Sequence, residues 1–583
     1  MNRLLIYVHF NKYNQISEHV RYQLKALAPL FQKTFMVSNS LLSQDLQSSL
    51  LQDKLVDRIL LRENKGFDFA ALRDAMKEIG FDDLKNYDSV TFMNDTCFGP
   101  IWDLESYYNR FEGDSSIDFW GMTNFRKNKE FREHIQSYFL SFSRNVVESN
   151  VFQEFWTSIV DYTDVQDVIN HYETQVTTVL LDAGFNYGVV YDTVEEDTSG
   201  MLHPDFSYYN PTSILKNKVP FIKVKTIGYN TGISPYLFRE IEESSDYPVE
   251  LIVSHMSQID FPDYPYLLTQ KYLKEGHLSD LSDKKIAVHL HVFYTDLLQE
   301  FMEAFSCFPF AFDLYLTTDT EEKKAVIEEA LASYSNFYQV KVTGNVGRDV
   351  LPMLKLKEEL SQYDYVGHFH TKKSKEADFW AGESWRNELI DMLVKPAPQI
   401  LSQFRSRKEL GIVIADIPTF FRINRIVVAW NEHEIAPIMN ELWNQMGLKK
   451  TIDFESMNTF VMSYGTYAWF KYDALKPLFD LNLTDQDVPA EPLPQNSILH
   501  AIERLLVYIA WDQDYDFLIS KNPIDWTPFI DNKQLNNRGD LKPPTYVNFD
   551  YMGGIKGALN YLWLGPARAM KYIVKRLIVK GKS

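Results

Sequence analysis

Four blocks of sequence occur twice in the same order, so this chain must build one fold twice. Strand-like Leu4-Leu5-Ile6-Tyr7-Val8-His9-Phe10, with a helix-like segment to Ala28, parallels Ile286-Ala287-Val288-His289-Leu290-His291-Val292-Phe293 and the helix pattern to Phe305. Phe35 to Asn39 parallels Leu314 to Thr318. Ile59-Leu60-Leu61 followed by Asn64-Lys65-Gly66-Phe67-Asp68 parallels Val340-Lys341-Val342 followed by Asn345-Val346-Gly347-Arg348-Asp349, and each precedes a helix. Last, Tyr87 to Thr96, ending Asn94-Asp95-Thr96, parallels Tyr363 to Thr371, ending Phe369-His370-Thr371. Strands alternating with helices of about 10 to 20 residues predict an α/β chain with Rossmann-type parallel sheets, whose ligands sit at the carboxyl ends of the strands. The polar residues His9, Asn64, Gly66, Asp68, Asn94 and Asp95 all follow apolar runs, where such a crevice would form.

Composition narrows the function. The chain has 583 residues and a formal charge of −20, which excludes the broad Lys/Arg face that nucleic-acid binding needs. Cys97 and Cys307 are its two cysteines, too few for a disulfide framework or a Cys-based zinc module, and the compartment is expected to be reducing. Met1 to Phe10 lacks the pattern of a signal peptide, and no stretch reaches the roughly 18 apolar residues of a membrane span. From Tyr551 to Ser583 the charge reverses: seven basic residues and no acidic one. There Ala567, Met570, Val574, Leu577 and Ile578 form one helical stripe behind Tyr561 and Trp563. That is the pattern of an interfacial helix on anionic lipid, the alternative being a basic helix docked on the acidic body.

Six motifs carry a family likeness: Asn64-Lys-Gly-Phe-Asp-Phe, Phe92-Met-Asn-Asp-Thr-Cys-Phe-Gly-Pro, His134-Ile-Gln-Ser-Tyr-Phe, Gly344-Asn-Val-Gly-Arg-Asp, His368-Phe-His-Thr-Lys-Lys-Ser and His500-Ala-Ile-Glu-Arg. With the strand plan around them they resemble the GT-A glycosyltransferases and, more closely and over nearly the whole chain, the rhamnan synthesis F family. That resemblance implies two tandem GT-A-like domains, 1–275 and 280–530, and a linker with a basic amphipathic tail, 531–583. It also implies transfer of L-rhamnose from dTDP-β-L-rhamnose, with inversion, to an undecaprenyl-type lipid-linked rhamnosyl acceptor at the inner face of the cell membrane. The rival reading is a non-catalytic glycan-binding or scaffold subunit of a polysaccharide assembly. A sugar-phosphate nucleotidyltransferase is disfavoured, because no Gly-rich turn with Arg follows the first strand.

Inverting transfer needs a base for the acceptor hydroxyl and positive charge for the departing diphosphate. In the first domain Asp95 is the candidate ligand for Mg²⁺ or Mn²⁺, although Asn94-Asp95-Thr96 departs from the DxD pattern and an Asx turn would also explain it. Asp68 is read as a sugar or base contact, Arg73 as a phosphate contact or half of an ion pair, and Glu173 and His134 as base candidates. In the second domain His368, His370, Lys372 and Lys373 occupy the strand end, with Asn345, Gly347, Arg348 and Asp349 before the preceding helix. Their cationic charge could replace a metal, and a solvated basic loop is the alternative. His289 and His291 share a face by parity, as do His368 and His370, so a His-rich metal site is a further possibility. Glu491 and Glu503 are the base candidates there, with Arg504 pairing with either.

Overall fold

The computed structural model describes residues 1–523, apart from 200, 260, 261, 263, 374–378, 420, 422–428, 458, 459, 492 and 495, together with six residues between 559 and 570. Its contacts divide the chain into two units, residues 1–523 and 524–583.

The first unit holds two sheets of matching design. The eight-stranded sheet comprises β1 (Arg3–His9), β2 (Lys33–Ser38), β3 (Arg58–Leu61), β4 (Ser89–Asn94), β5 (Phe119–Phe125), β6 (His134–Ile135), β7 (Phe139–Ser143) and β8 (Tyr187–Tyr191). Its order is β3-β2-β1-β4-β7-β5-β6, with β8 beside β5. The seven-stranded sheet comprises β9 (Ile286–His291), β10 (Asp313–Thr318), β11 (Tyr338–Val342), β12 (Tyr365–His370), β13 (Leu410–Ala415), β14 (Ala468–Phe470) and β15 (Asp516–Ser520), in the order β11-β10-β9-β12-β14-β13-β15. In each, four parallel strands meet one antiparallel strand, β7 or β14, before the sheet continues. The central strands are buried on both faces, which is why they read as continuous apolar runs rather than alternating ones.

Backbone pairing fixes how the halves correspond. Val8 faces Asn94 across β1 and β4, as His291 faces His370 across β9 and β12. The bond from Asp95 N to Val8 O recurs from Thr371 N to His291 O. Phe10 N donates to Asp95 Oδ2 at 2.9 Å, and Phe293 N to Thr371 Oγ1 at 3.0 Å. Thr371 therefore stands where Asp95 stands, and His370 where Asn94 stands.

A second shared device opens the helix after each third strand, α1 (Phe67–Ile79) and α2 (Val350–Leu354). Gly66 and Phe67 have φ of 66° and 52°, and Gly347 and Arg348 have 80° and 51°. A Cβ on Gly66 would lie 2.5 Å from the Ala70 Cβ, and one on Gly347 would lie 2.5 Å from the Leu351 Cβ. Both positions therefore need glycine for conformation and for space. Gly66→Ala and Gly347→Ala are each expected to destabilise the fold by about 2 kcal/mol or more, read as a lowered urea midpoint. An unchanged midpoint would refute the constraint.

Cys97 is buried and Cys307 exposed, both as free thiols. No described helix is long and apolar enough to cross a membrane. In the second unit the described residues are helical, and Leu559, Leu562, Trp563 and Met570 are exposed. Tyr561, Val574, Leu577, Ile578 and the seven basic residues of the tail lie outside the described residues.

Candidate functional site

In the first domain the carboxyl edge of the sheet collects acids. Asp68, one residue into α1, accepts a hydrogen bond from Asn94 Nδ2 at 2.7 Å. Asn94 in turn accepts from Thr96 N at 3.2 Å, so the strand end is tied to the helix start. Burial pushes the Asp68 carboxyl up to about 6; the Asn94 bond opposes this and the Glu173 charge adds to it. Burial pushes Asp95 up to about 8, against the Phe10 N–H and with the charge of Asp68. His9 bonds Ser38 Oγ through Nδ1 at 3.0 Å, its Nε2 lies 3.9 Å from Asp95, and burial lowers its pKa to about 4. Glu173 ends the π-helical turn that leads into α3 (Thr174–Asp182) and accepts from Ser137 N at 3.2 Å. The structure thus assembles His9, Asp68, Asn94, Asp95 and Glu173.

This edge carries more negative charge than its neighbours offset. Lys225 is an exposed cation acting on Asp68, and Lys223 lies on the short strand Ile222–Lys223 that pairs with Cys97–Phe98, just after Asp95. Neither lysine was singled out from sequence; the Lys-Val-Lys pattern lies far along the chain and has no signature of its own. Hard oxygen donors at Asp95, Asn94 and Asp68, with raised carboxyl pKa values, fit a divalent cation held mostly by ligand and water oxygens. Among the described residues no group of three or more His, Cys, Asp or Glu is spaced to hold a metal unaided.

Other first-domain candidates sit elsewhere. Arg73 is an ion-pair residue, 2.7 Å from Asp74 and 2.9 Å from Asp161, and its Nη1 also donates to Ile159 O. Its charge is spent on packing α1, so the phosphate contact is not supported. Asn64 is exposed in the turn and Gly66 is a backbone device rather than a contact. His134 is buried, with Nδ1 against Arg132 O at 2.9 Å and its ring beside Phe125, contacts that make it a strand-edge residue rather than a base.

The second domain repeats the frame with different chemistry. Asp349 takes the place of Asp68, and His370 that of Asn94. Burial opposes the Asp349 charge, but His370, His368 and Thr466 outweigh it and hold the carboxyl well below its usual range. Glu503, on α4 (Ile498–Asp512), accepts from Gly465 N at 2.5 Å. Pairing of His368 with Ala468, and of Phe92 with Leu140, makes Gly465 the counterpart of Ser137. Glu173 and Glu503, read separately from sequence, therefore occupy one position in two domains. Their surroundings differ: Glu173 faces the Asp68 charge, whereas Arg504 lies 3.6 Å from Glu503 and also pairs with Glu432.

Lys372 packs its ammonium 3.2 Å from the Trp385 ring centroid and acts electrostatically on His370, placing a cation at this edge. Lys373 pairs with Asp296, so its charge is already offset. Glu491 is held by Arg348 at 2.9 Å, which lowers its pKa and removes it as a base; the same pair occupies Arg348. Asn345 is exposed. The four histidines do not form a metal site among the described residues. Most of their nitrogens bond each other and protein oxygens instead, as His289 Nδ1 does to His368 Nδ1 at 2.8 Å and His370 Nε2 to Gly465 O at 2.8 Å.

An uncharacterised protein of Xanthomonas campestris, WxcX, is 25% identical over 241 residues, 39% of this chain and 32% of WxcX. The chain spans about a third of the length of the curated relatives it matches. Among solved structures, the glycosyltransferase GlyE of Streptococcus pneumoniae is 13% identical, covering 66% of this chain and 89% of GlyE at a TM-score of 0.23. A cytidylyltransferase of Leptospira borgpetersenii is 14% identical, covering 34% of this chain and 77% of its own at 0.21. The model of rhamnan synthesis protein F matches residues 34–515, from β2 of the first sheet to the residue before β15, the last strand of the second. With most of both domains inside that match, the chain belongs to the rhamnan synthesis protein F family.

Proposed function

We propose that this protein is a glycosyltransferase that moves L-rhamnose from dTDP-β-L-rhamnose to a lipid-linked rhamnosyl acceptor with inversion, extending a polyrhamnose backbone, with one transfer site in each domain. The observation that carries the reading is the recurrence, at both carboxyl edges, of an acid at the helix start and a glutamate on a later helix. In the first site Glu173 takes the acceptor hydroxyl proton, and Asp68 with Asn94 orients the donor. Asp95 would hold Mg²⁺ or Mn²⁺, whose charge stabilises the leaving diphosphate when bound; Lys223 and Lys225 add positive charge from the protein. In the second site Lys372 supplies the charge, and Thr371 in place of Asp95 supports transfer without a metal. A scaffold role is disfavoured, because glycan binding alone needs no pair of buried, mutually repelling carboxyls.

The test is mass and linkage analysis of the products formed from dTDP-rhamnose and a synthetic rhamnosyl-lipid primer. Added deoxyhexose in two linkages supports two sites, and no product with a competent primer favours the scaffold. We further propose that the tail holds the enzyme on the inner membrane face. Its exposed Leu559, Leu562, Trp563 and Met570, in a segment with seven basic residues and no acid, match an interfacial anchor. Deleting residues 551–583 should release the protein from anionic vesicles, and unchanged partitioning would end the idea.

A further inference from the structure

The second sheet carries a buried polar row where the first carries an apolar one. By backbone pairing, His289, His291, Thr317 and His368 correspond to Ile6, Val8, Val37 and Phe92. All eight are almost fully buried. The first domain shows that this fold packs the row with hydrocarbon, and buried polar chains are unfavourable unless every member is satisfied. Stability therefore does not account for the histidines.

Their hydrogen bonds run in one direction. Asp349 Oδ2 lies 3.2 Å from His368 Nε2 and also accepts from the Thr466 hydroxyl. With Asp349 ionised and the imidazoles neutral, one set of protons satisfies every contact. His368 Nε2–H donates to Asp349, and His368 Nδ1 accepts from His289 Nδ1–H at 2.8 Å. His289 Nε2 accepts from the Thr317 hydroxyl at 2.9 Å, and Thr317 Oγ1 accepts from His291 Nδ1–H at 2.9 Å. The chain ends on His291 Nε2, a bare lone pair, buried and without a partner among the described residues. Burial lowers the His291 pKa to about 3 and lowers that of His289 as well, in keeping with neutral rings. His291 is the last residue of β9, at the edge where ligands of such sheets bind.

We infer that a sugar hydroxyl docks on His291 Nε2 in the second site and gives its proton to a relay running through Thr317, His289 and His368 toward Asp349. This rests on the sugar-transfer reading above. In the step, the hydroxyl O–H breaks and an N–H forms at His291 Nε2. The His291 Nδ1 proton passes to Thr317 Oγ1, the Thr317 hydroxyl proton to His289 Nε2, and the His289 Nδ1 proton to His368 Nδ1. His368 becomes an imidazolium against the Asp349 carboxylate. The sugar oxygen bonds the anomeric carbon of the donor, and the nucleoside diphosphate leaves with the bonding pair. His291 is the catalytic residue; Thr317, His289 and His368 act through it.

Thr317→Val breaks the relay with a side chain that the first domain already packs at Val37, and Thr317→Ser restores the hydroxyl. In the full chain carrying Glu173→Gln, Thr317→Val should lower kcat of the remaining transfer by about 100-fold or more, leave KM unchanged and flatten the pH profile, while Thr317→Ser recovers the rate. A Thr317→Val chain that folds and turns over at the parent rate overturns the relay and leaves sugar transfer standing. Absence of transfer even by the unmutated chain would count against sugar transfer itself. In that case ¹⁵N spectra of the histidine-labelled full chain decide the relay: Nδ1-protonated His289 and His291 with Nε2-protonated His368 support it, and the opposite tautomers overturn it.

Discussion

Glu173→Gln is expected to abolish one of the two linkages, with a loss of about 10²- to 10⁴-fold in that transfer, and to leave the other untouched. Glutamine keeps the size of the side chain and can still accept from Ser137 N, so the local structure should hold. What it loses is the negative oxygen that can take a proton. The equivalent Glu503→Gln is expected to reduce the second transfer only several-fold. There the relay through His291 receives the proton, and Glu503 serves to hold the Gly465 N–H beside an arginine that already offsets its charge. Time courses of both linkages in the two variants measure this directly. Equal, severe losses would restore Glu503 as the second base, and an unaffected Glu173→Gln enzyme would remove the first.

The double fold was legible because the repeat is written in motifs that bend the chain. Asn64 to Asp68 and Asn345 to Asp349 must each turn through two positive-φ residues, a demand that leaves glycine in the same place twice. Register was not legible. The first and fourth strands of each sheet are buried on both faces, so they lack the alternation that would show a shift of one residue. The backbone pairing sets Thr371 where Asp95 stands. With a threonine at that place, the second domain has no acid at the strand end, as its sequence already reads.

Asp68 and Asp95 stand out in the sequence because acids after apolar runs are uncommon, and together with Glu173 they lie close enough to act on one another. Arg73, Glu491 and Lys373 all sit in ion pairs, and for Arg73 that is one of the two readings; spacing along a chain does not show where the counter-charge lies. Asp161, Arg348 and Asp296 each come from a distant segment or a different loop and claim those charges. Lys223, Lys225 and Thr317 were missed for the converse reason, since a lysine on a late two-residue strand and a threonine inside an apolar strand have ordinary sequence surroundings.

The largest effect on stability is expected at Asp516, the first residue of β15. Its carboxylate lies 2.5 Å from Lys271 Nζ and 3.0 Å from Arg407 Nη2, and these cations hold it below the usual carboxylate range despite burial. Lys271 is fully buried, and the segment around it runs beside β15, with Ile519 N donating to Lys271 O at 2.7 Å and Leu273 N to Ile519 O at 2.8 Å. The pair thus fastens the chain arriving from the first domain to the last strand of the second. Asp516→Ala would leave the ammonium buried without its counter-ion, with an expected loss of about 3 to 5 kcal/mol. Lys271→Met should have a much smaller effect, because Arg407 still neutralises Asp516. Combining Lys271→Met with Asp516→Leu should recover most of the loss, since two apolar side chains can fill the site without an unpaired charge. Amide exchange of residues 271–273, with the urea midpoint, reads all three variants. Were Asp516→Ala to exchange no faster than the parent, the buried pair would not be what fastens this segment to β15.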